Sequence, residues 1–130
     1  MDTVHVFVYG TLRPGSPHPM AKFLADHARH VGPAKMAGRL YNLGRYPGMV
    51  SAGGEGEYVI GDIFQIDASG PVLARLDEYE GATGEEPRLF ERKRGVAQLK
   101  DGATIAAWYY EYQRTVPSQA WIRSGNFGEP

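Results

Sequence analysis

The chain has 130 residues, the size of one ordinary domain with one hydrophobic core. Its apolar content of 42%, charged content of 22% and formal net charge of −1 exclude a disordered chain and a strongly basic protein that binds nucleic acid or anionic membranes. Because the chain has no cysteine, a disulfide framework, a thiolate nucleophile and a cysteine zinc site are also excluded.

Glycine and proline are frequent, with 17 and 9 residues, and they predict short elements with tight turns, in which strands outnumber long helices. No long apolar run or signal-peptide pattern opens the chain, and polar residues interrupt every hydrophobic stretch. These features predict a cytoplasmic protein without a membrane-spanning segment. Since no internal repeat or linker is visible, we expect residues 1–130 to form a single domain.

The first predicted strand covers residues 3–9 and ends abruptly in a loop of small residues. Both of its faces are largely apolar, because valines alternate with His5, Phe7 and Tyr9, and this pattern is typical of a central strand or a barrel wall. Residues 10–19 contain three prolines and two glycines and predict a loop. The backbone N–H groups at such a strand end can bind an anion or a developing oxyanion; the alternative is an ordinary turn after a buried strand.

The second predicted element is a helix over residues 20–31. Its apolar side chains follow the spacing of one helical face, at Met20, Phe23, Leu24, His27 and Val31. Gly32 and Pro33 should end this helix, because proline cannot continue it.

Two strands and a long loop are predicted next. The strands cover residues 34–42 and 57–66, and the loop between them has one short strand at 48–51. In the second strand, Asp62 shares its face with four apolar or aromatic side chains: Tyr58, Ile60, Phe64 and Ile66.

A second helix is predicted over residues 70–80. Asp67 or Ser69 would cap its start, and Pro71 suits its first turn. Gly81 is a natural residue for its C-terminal end.

Three acids lie near the end of this helix and differ in direction. At about 100° per residue, Glu80 falls within the apolar stripe of Val72, Leu73, Leu76 and Tyr79. Asp77 lies on the flank of that stripe and Glu78 points to solvent. A carboxyl group facing the interior has a raised pKa and suits general acid–base catalysis near neutral pH. The alternative is that Glu80 bonds an arginine or a backbone N–H at the helix end.

The last third of the chain predicts a hairpin. Its strands cover residues 88–99 and 103–113, and the turn between them contains Asp101 and Gly102. The second strand holds Trp108 and three tyrosines, but without a basic surface these rings indicate core and cavity packing and no nucleic-acid partner. One helical turn is predicted over 118–123.

The histidines do not form a convincing metal site. His27 and His30 are three residues apart on the predicted helix and His18 is nearby, but no acidic ligand accompanies them and His5 lies in a strand. The sequence therefore predicts no metal binding.

Four stretches occur together in this chain: YGTLRPG at residues 9–15, LDEYEG at 76–81, FER at 90–92 and AWYY at 107–110. In this order they resemble the γ-glutamylcyclotransferase-like (AIG2-like) family, which includes the γ-glutamylamine cyclotransferases. The resemblance covers about residues 5–113. It implies an α+β fold, with a small mixed sheet curled into a partial barrel around a cavity and two main helices outside.

The resemblance also implies an amine-releasing enzyme, classed as a lyase or acyltransferase. Its small-molecule substrate would be a γ-glutamyl amine or γ-glutamyl amino acid, and the products would be 5-oxoproline and the free amine. The substrate's α-amine attacks its own γ-amide carbonyl, so no covalent enzyme intermediate, metal or cofactor is needed.

By the same resemblance, the loop of Tyr9, Gly10, Thr11 and Leu12 lines the cavity and holds the glutamyl part of the substrate. Its N–H groups would stabilise the oxyanion. The last acid of the LDxYE motif, Glu80, is the expected catalytic base and proton donor. Loop amides or Arg13 are candidates to bind the α-carboxylate.

One position departs from the family pattern. Relatives commonly have Tyr-x-Arg after the helix, whereas this chain has Phe90, Glu91 and Arg92. The missing hydroxyl supports an alternative hypothesis, a non-catalytic small-molecule binding module with the same cavity.

Overall fold

The computed structural model describes residues 3–10, 12–44, 46–51, 56–67, 70–80 and 89–127, without the side chain of Glu80. These residues form an α+β fold of two α-helices and eight strands. The order of elements is β1 (Thr3–Val8), α1 (Pro19–His27), β2 (Arg29–Ala37), β3 (Arg39–Asn42), β4 (Pro47–Val50), β5 (Tyr58–Asp67), α2 (Pro71–Glu80), β6 (Phe90–Leu99), β7 (Thr104–Tyr112), a 3₁₀ turn (Ser118–Ala120) and β8 (Trp121–Ile122).

Five strands close into a barrel in the order β1-β5-β2-β6-β7. The barrel closes because β7 pairs with β1, where Val6 lies opposite Trp108 in a parallel arrangement; the other four barrel pairs are antiparallel. Strand β4 extends the sheet from β7, with Met49 opposite Glu111, and β3 and β8 follow. The expected mixed sheet curled into a barrel is confirmed.

The hydrophobic core has two parts, separated by the wall of the barrel. One cluster draws side chains from all five barrel strands and includes Phe7 of β1 and Tyr9, the residue after β1. The other includes Val6 and Val8 of β1, together with Leu24 of α1 and Leu76 of α2. Since alternate residues of a strand point to opposite faces, β1 is covered inside by the barrel core and outside by the helices, as its apolar sequence predicts.

The prediction for the first helix is wrong at its C-terminal end. Helix α1 stops at His27, and residues 29–31 already belong to β2, which pairs with both β5 and β6. Gly32 and Pro33 lie inside β2, beside a shift in register after His30. Val31 has helical spacing, but the hydrogen bonds and packing of a strand with two neighbours override that local preference.

The predicted strand over 34–42 is two strands in the structure, β2 and β3, with Gly38 between them at a φ of 151°. The short strand expected at 48–51 is β4, one residue earlier. The hairpin is confirmed, and its turn places Gly102 at a φ of +91°, a conformation that favours glycine. The tail forms a 3₁₀ turn followed by β8 instead of one helical turn.

Helix α2 covers the predicted residues, with Val72 and Leu76 buried and Glu78 exposed. The candidate cap Ser69 and the terminal Gly81 lie outside the described residues. Within the part of the chain that the structure describes, neither helix has the length and hydropathy that a bilayer span requires.

Candidate active site

A cavity of about 290 Å³ opens where the end of β1 meets β4, α2, β6 and β7. One side is formed by the end of β1 and the following loop, with Phe7, Val8, Tyr9, Gly10 and Leu12. The rest of the lining is largely aromatic, with Tyr46, Pro47, Tyr79, Leu89, Phe90 and Tyr110. The strand end singled out in the sequence therefore borders a cavity, together with the helix that carries Glu80.

Tyr9 lies on the barrel side of this cavity, and its phenol group is held by backbone. Its hydroxyl donates a hydrogen bond to the carbonyl of Tyr110 at 2.6 Å and accepts one from the N–H of Met49 at 3.2 Å. These bonds link β1 to β7 and β4. Tyr9 thus contributes a fixed, buried wall to the cavity.

Gly10 makes close contact with β4. A Cβ atom on Gly10 would lie 2.7 Å from Cγ of Pro47, nearer than real side chains approach, so the loop and β4 can meet here only because the residue is glycine. The carbonyl of Gly10 accepts a hydrogen bond from the N–H of Arg13 at 3.1 Å, which closes a turn. Leu12 is buried against the helices, and Thr11 lies outside the described residues.

Arg13 is not among the residues that line the cavity. Its Nε donates to Asp62 Oδ2 at 2.8 Å and its Nη1 donates to Asn126 Oδ1 at 2.6 Å. Asp62 is only 5% exposed, and its other oxygen lies 2.9 Å from Nε2 of His30. This geometry anchors the loop to β5, and binding of a substrate carboxylate by Arg13 stays a prediction.

A second carboxylate fixes the end of α2. Asp77 Oδ1 accepts a hydrogen bond from the hydroxyl of Tyr110 at 2.7 Å, and its Oδ2 lies 3.5 Å from Nη1 of Arg92. Both contacts hold the last turn of α2 against β6 and β7. Because Glu80 is three residues further along the helix, Asp77 determines where the backbone of Glu80 is placed. The structure describes the backbone of Glu80 but not its side chain. The catalytic role of Glu80 therefore stays a prediction.

Phe90 completes the aromatic wall. It is 5% exposed, and its ring centroid lies 5.9 Å from that of Tyr46 and 5.3 Å from that of Tyr112. Phe90, where the resemblance predicts a phenol, therefore places an apolar ring inside an aromatic cluster.

Tyr79 lies at the opening of the cavity and contacts α1. Its hydroxyl is 3.1 Å from Nε2 of His18, and the two rings meet edge to face. The other nitrogen of His18 accepts a hydrogen bond from the N–H of Met20, which caps α1. Neutral His18 must then carry its proton on Nε2 and donate it to the tyrosine oxygen. The contact between His18 and Tyr79 thus links the start of α1 to the opening of the cavity.

Glu111 is a second buried carboxylate, and it lies outside the cavity lining. Glu111 forms an ion pair with Lys93 at 2.7 Å and accepts hydrogen bonds from the N–H and hydroxyl of Ser51, at 2.7 and 2.8 Å. Burial disfavours its charged form, but Lys93 and Ser51 outweigh that effect and hold the pKa of Glu111 below its usual value. The hydrogen bond to Glu111 likewise raises the pKa of Lys93. Burial raises the pKa of the neighbouring Tyr109.

Sequence reasoning missed the partners of these carboxylates. Asp62 had a visible signal, since it is a charged residue on an otherwise apolar or aromatic strand face. Asp77, predicted on the flank of the apolar stripe, has a structural role, since it holds the end of α2 through Tyr110 and Arg92. The roles of Tyr110 and Arg92 had no comparable signal, because only the folded barrel brings them beside α2.

Comparison with known proteins gives consistent matches along the chain. The model of the family described as gamma-glutamyl cyclotransferase, AIG2-like, matches residues 6–129. A gamma-glutamylcyclotransferase family protein of Citrobacter rodentium is 35% identical over 126 residues, covering 95% of each chain. The gamma-L-glutamyl-butirosin B gamma-glutamyl cyclotransferase of Niallia circulans is 32% identical over 114 residues, covering 85% of this chain and 67% of the relative.

Solved structures share the fold. An AIG2-like protein from Mus musculus superposes with a TM-score of 0.77 at 24% identity, covering 98% of this chain and 89% of the mouse chain. A protein from Pyrococcus horikoshii has a TM-score of 0.67 at 26% identity, covering 97% of this chain and 91% of the other.

Proposed function

Because the chain belongs to the gamma-glutamyl cyclotransferase, AIG2-like family, we propose that it is an enzyme that cyclises a small γ-glutamyl substrate. The products are 5-oxoproline and the free amine or amino acid. The observation that carries this proposal is the cavity between the end of β1 and the end of α2, with residues 9, 10 and 12 on one side and the helix bearing Glu80 on the other.

The reaction is an internal aminolysis, so positioning of the substrate supplies much of the catalysis. The α-nitrogen attacks the γ-carbonyl carbon, and the bond from that carbon to the leaving nitrogen breaks. Glu80 takes protons from the α-ammonium group and passes them to the leaving nitrogen. The α-nitrogen loses two protons and keeps one, and the amine leaves as an ammonium ion.

The loop supplies the remaining chemistry. Negative charge develops on the γ-carbonyl oxygen in the tetrahedral intermediate, and the N–H groups of Gly10, Thr11 and Leu12 are the proposed donors to it. The α-carboxylate is assigned to loop amides first. Arg13 is a second candidate, since a guanidinium has five N–H donors and two of them serve Asp62 and Asn126.

Substitution of the proposed base tests this function. We expect Glu80→Gln to lower kcat by about 100-fold or more, because an amide cannot accept the proton. The measurement is release of 5-oxoproline from a panel of γ-glutamyl amines and amino acids. Glu78→Gln is the matched control, since Glu78 is exposed on the same helix and should leave kcat unchanged. Full activity of Glu80→Gln would contradict the role of Glu80.

A second candidate function is a binding module without turnover, and Phe90 favours it. An apolar ring at this place removes a hydroxyl from the cavity wall. Calorimetry that detects binding of γ-glutamyl compounds, with no 5-oxoproline formed from any of them, would support this candidate. Turnover of any member of the panel excludes it.

A further inference from the structure

We propose that the leaving group of the substrate is a small, uncharged, apolar amine. This inference rests on the proposed function, and it concerns the part of the cavity that receives the portion of the substrate beyond the γ-amide bond. It follows from the depth of the cavity, the side chains at its opening and the pairing of the nearby charges.

Burial separates the floor of the cavity from its opening. Phe7 is fully buried and Tyr9 is 7% exposed, so they form the floor. Tyr79 and Leu89 are 37% and 41% exposed, so they form the rim. These are two of the four large hydrophobic side chains that are exposed among the described residues. Apolar side chains exposed together at the edge of a cavity are typical of a ligand-binding groove.

The chemistry of the substrate orients it between floor and rim. The glutamyl part carries the α-ammonium and α-carboxylate groups, which need the polar atoms of the loop after β1. We therefore assign the leaving group to the aromatic part of the lining, past Tyr46 and Phe90, towards Tyr79 and Leu89 at the rim. An alkyl or aryl group buries its surface against these side chains, with a gain of about 0.8 kcal/mol per CH₂ fully removed from water.

Apart from the proposed base Glu80, a charged leaving group would find few partners among the described residues along this path. None of the described residues that line the cavity is charged. Among the described side chains of α2, the carboxylate of Asp77 accepts a hydrogen bond from Tyr110 and lies 3.5 Å from Arg92. Removing a charge from water without a partner is costly. The volume of about 290 Å³ is at the low end for small-molecule sites, which favours a small leaving group.

Three γ-glutamyl amides test the inference, with the four-carbon amines butylamine, 4-aminobutyrate and putrescine as leaving groups. They share a four-carbon chain and end in a methyl, a carboxylate and an ammonium group. We expect kcat/KM for the butylamide to exceed each of the other two by about tenfold or more, equivalent to about 1.4 kcal/mol. Equal values, or a higher value for either charged amide, overturn the inference and leave the proposed function intact.

Failure of the proposed function gives a different result, with no 5-oxoproline from any of the three amides or from other γ-glutamyl amino acids. Calorimetry with the same three compounds then decides the inference. Tighter binding of the butylamide supports an apolar subsite, and equal or weaker binding contradicts it.

A charge placed at the rim provides a second test. In Leu89→Glu, we expect the ratio of kcat/KM for the putrescine amide to that for the butylamide to rise by about tenfold, because a carboxylate now faces the ammonium group. Val96→Glu is the matched control: Val96 lies on β6, is 62% exposed and does not line the cavity. The ratio should not change in Val96→Glu. An equal rise in both variants, or none in Leu89→Glu, contradicts the assignment of the leaving group to this rim.

Discussion

The two sides of the cavity are each fixed by a carboxylate, but the two anchors differ in kind. On the loop side, Asp62 is almost fully buried and contacts Arg13 and His30 at 2.8 and 2.9 Å. On the helix side, Asp77 is partly exposed, accepts a hydrogen bond from a neutral phenol and lies 3.5 Å from Arg92.

This difference has a physical consequence. A buried carboxylate with close charged donors loses much when one partner is removed, because the charge that remains is poorly solvated. A partly exposed carboxylate can replace a lost partner with water. The loop side should therefore be the more rigid side of the cavity, and the helix side should adjust more easily around a substrate.

The largest expected effect is at the loop-side anchor. Arg13→Ala should lower the free energy of unfolding by about 3 kcal/mol, because it leaves the buried carboxylate of Asp62 with only His30 as a close partner among the described residues. Urea denaturation at pH 7 measures this loss. Kinetics should also show a higher KM for γ-glutamyl substrates, because the loop is less well placed. A loss below about 1 kcal/mol would contradict the contrast between the two anchors.

Glu111 is a buried carboxylate that does not line the cavity, so it serves as a comparison for the two anchors. Glu111→Gln should lower the free energy of unfolding by about 2 kcal/mol at pH 7, because hydrogen bonds from Ser51 and the ion pair with Lys93 are weakened. Activity should be unchanged, since Glu111 does not line the cavity. A large fall in kcat in Glu111→Gln would show that residues other than Asp62 and Asp77 also hold the cavity in its active geometry.

The pH dependence of the Glu111 variant has a definite sign. The pKa of Glu111 is lowered in the folded protein, so its stabilising contribution is present above its ordinary value of 4.5 and is lost as the pH falls through the folded pKa. The raised pKa of Lys93 means that its contribution is present below 10.5 and is lost as the pH rises further. The stability difference between wild type and Glu111→Gln should therefore be largest near neutral pH and decrease in acid. A difference that is constant down to pH 3 would contradict this explanation.

The smallest expected effect on stability is at the helix-side anchor. Asp77→Asn should lower the free energy of unfolding by about 1 kcal/mol, because the amide oxygen still accepts from Tyr110 and only the charge facing Arg92 is lost. It should nevertheless reduce kcat more than it raises KM, because the last turn of α2 carries the proposed base. Glu78→Gln, on the same helix, is the control for a change of charge alone. Unchanged kcat in Asp77→Asn would exclude Asp77 as a positioning residue.

Local sequence patterns were sufficient for several elements of this protein. The apolar alternation of β1, the Asp101-Gly102 turn and the apolar stripe of α2 are properties of short segments, and the structure confirms the elements they predict. The motifs at 9–15 and 76–81 indicated the family by resemblance, and the family match confirms it.

Contacts between distant segments decided the rest. The end of α1 depends on the pairing of β2 with β5 and β6, which outweighs helical spacing. Arg13 and Asp62 are 49 residues apart, and Asp77 and Tyr110 are 33 apart. Local periodicity determines which face of a segment is apolar, but it contains no information on which distant side chain lies opposite. The sequence by itself therefore determined the strand end and the helix that border the cavity, and only closure of the barrel decided which carboxylates hold them in place.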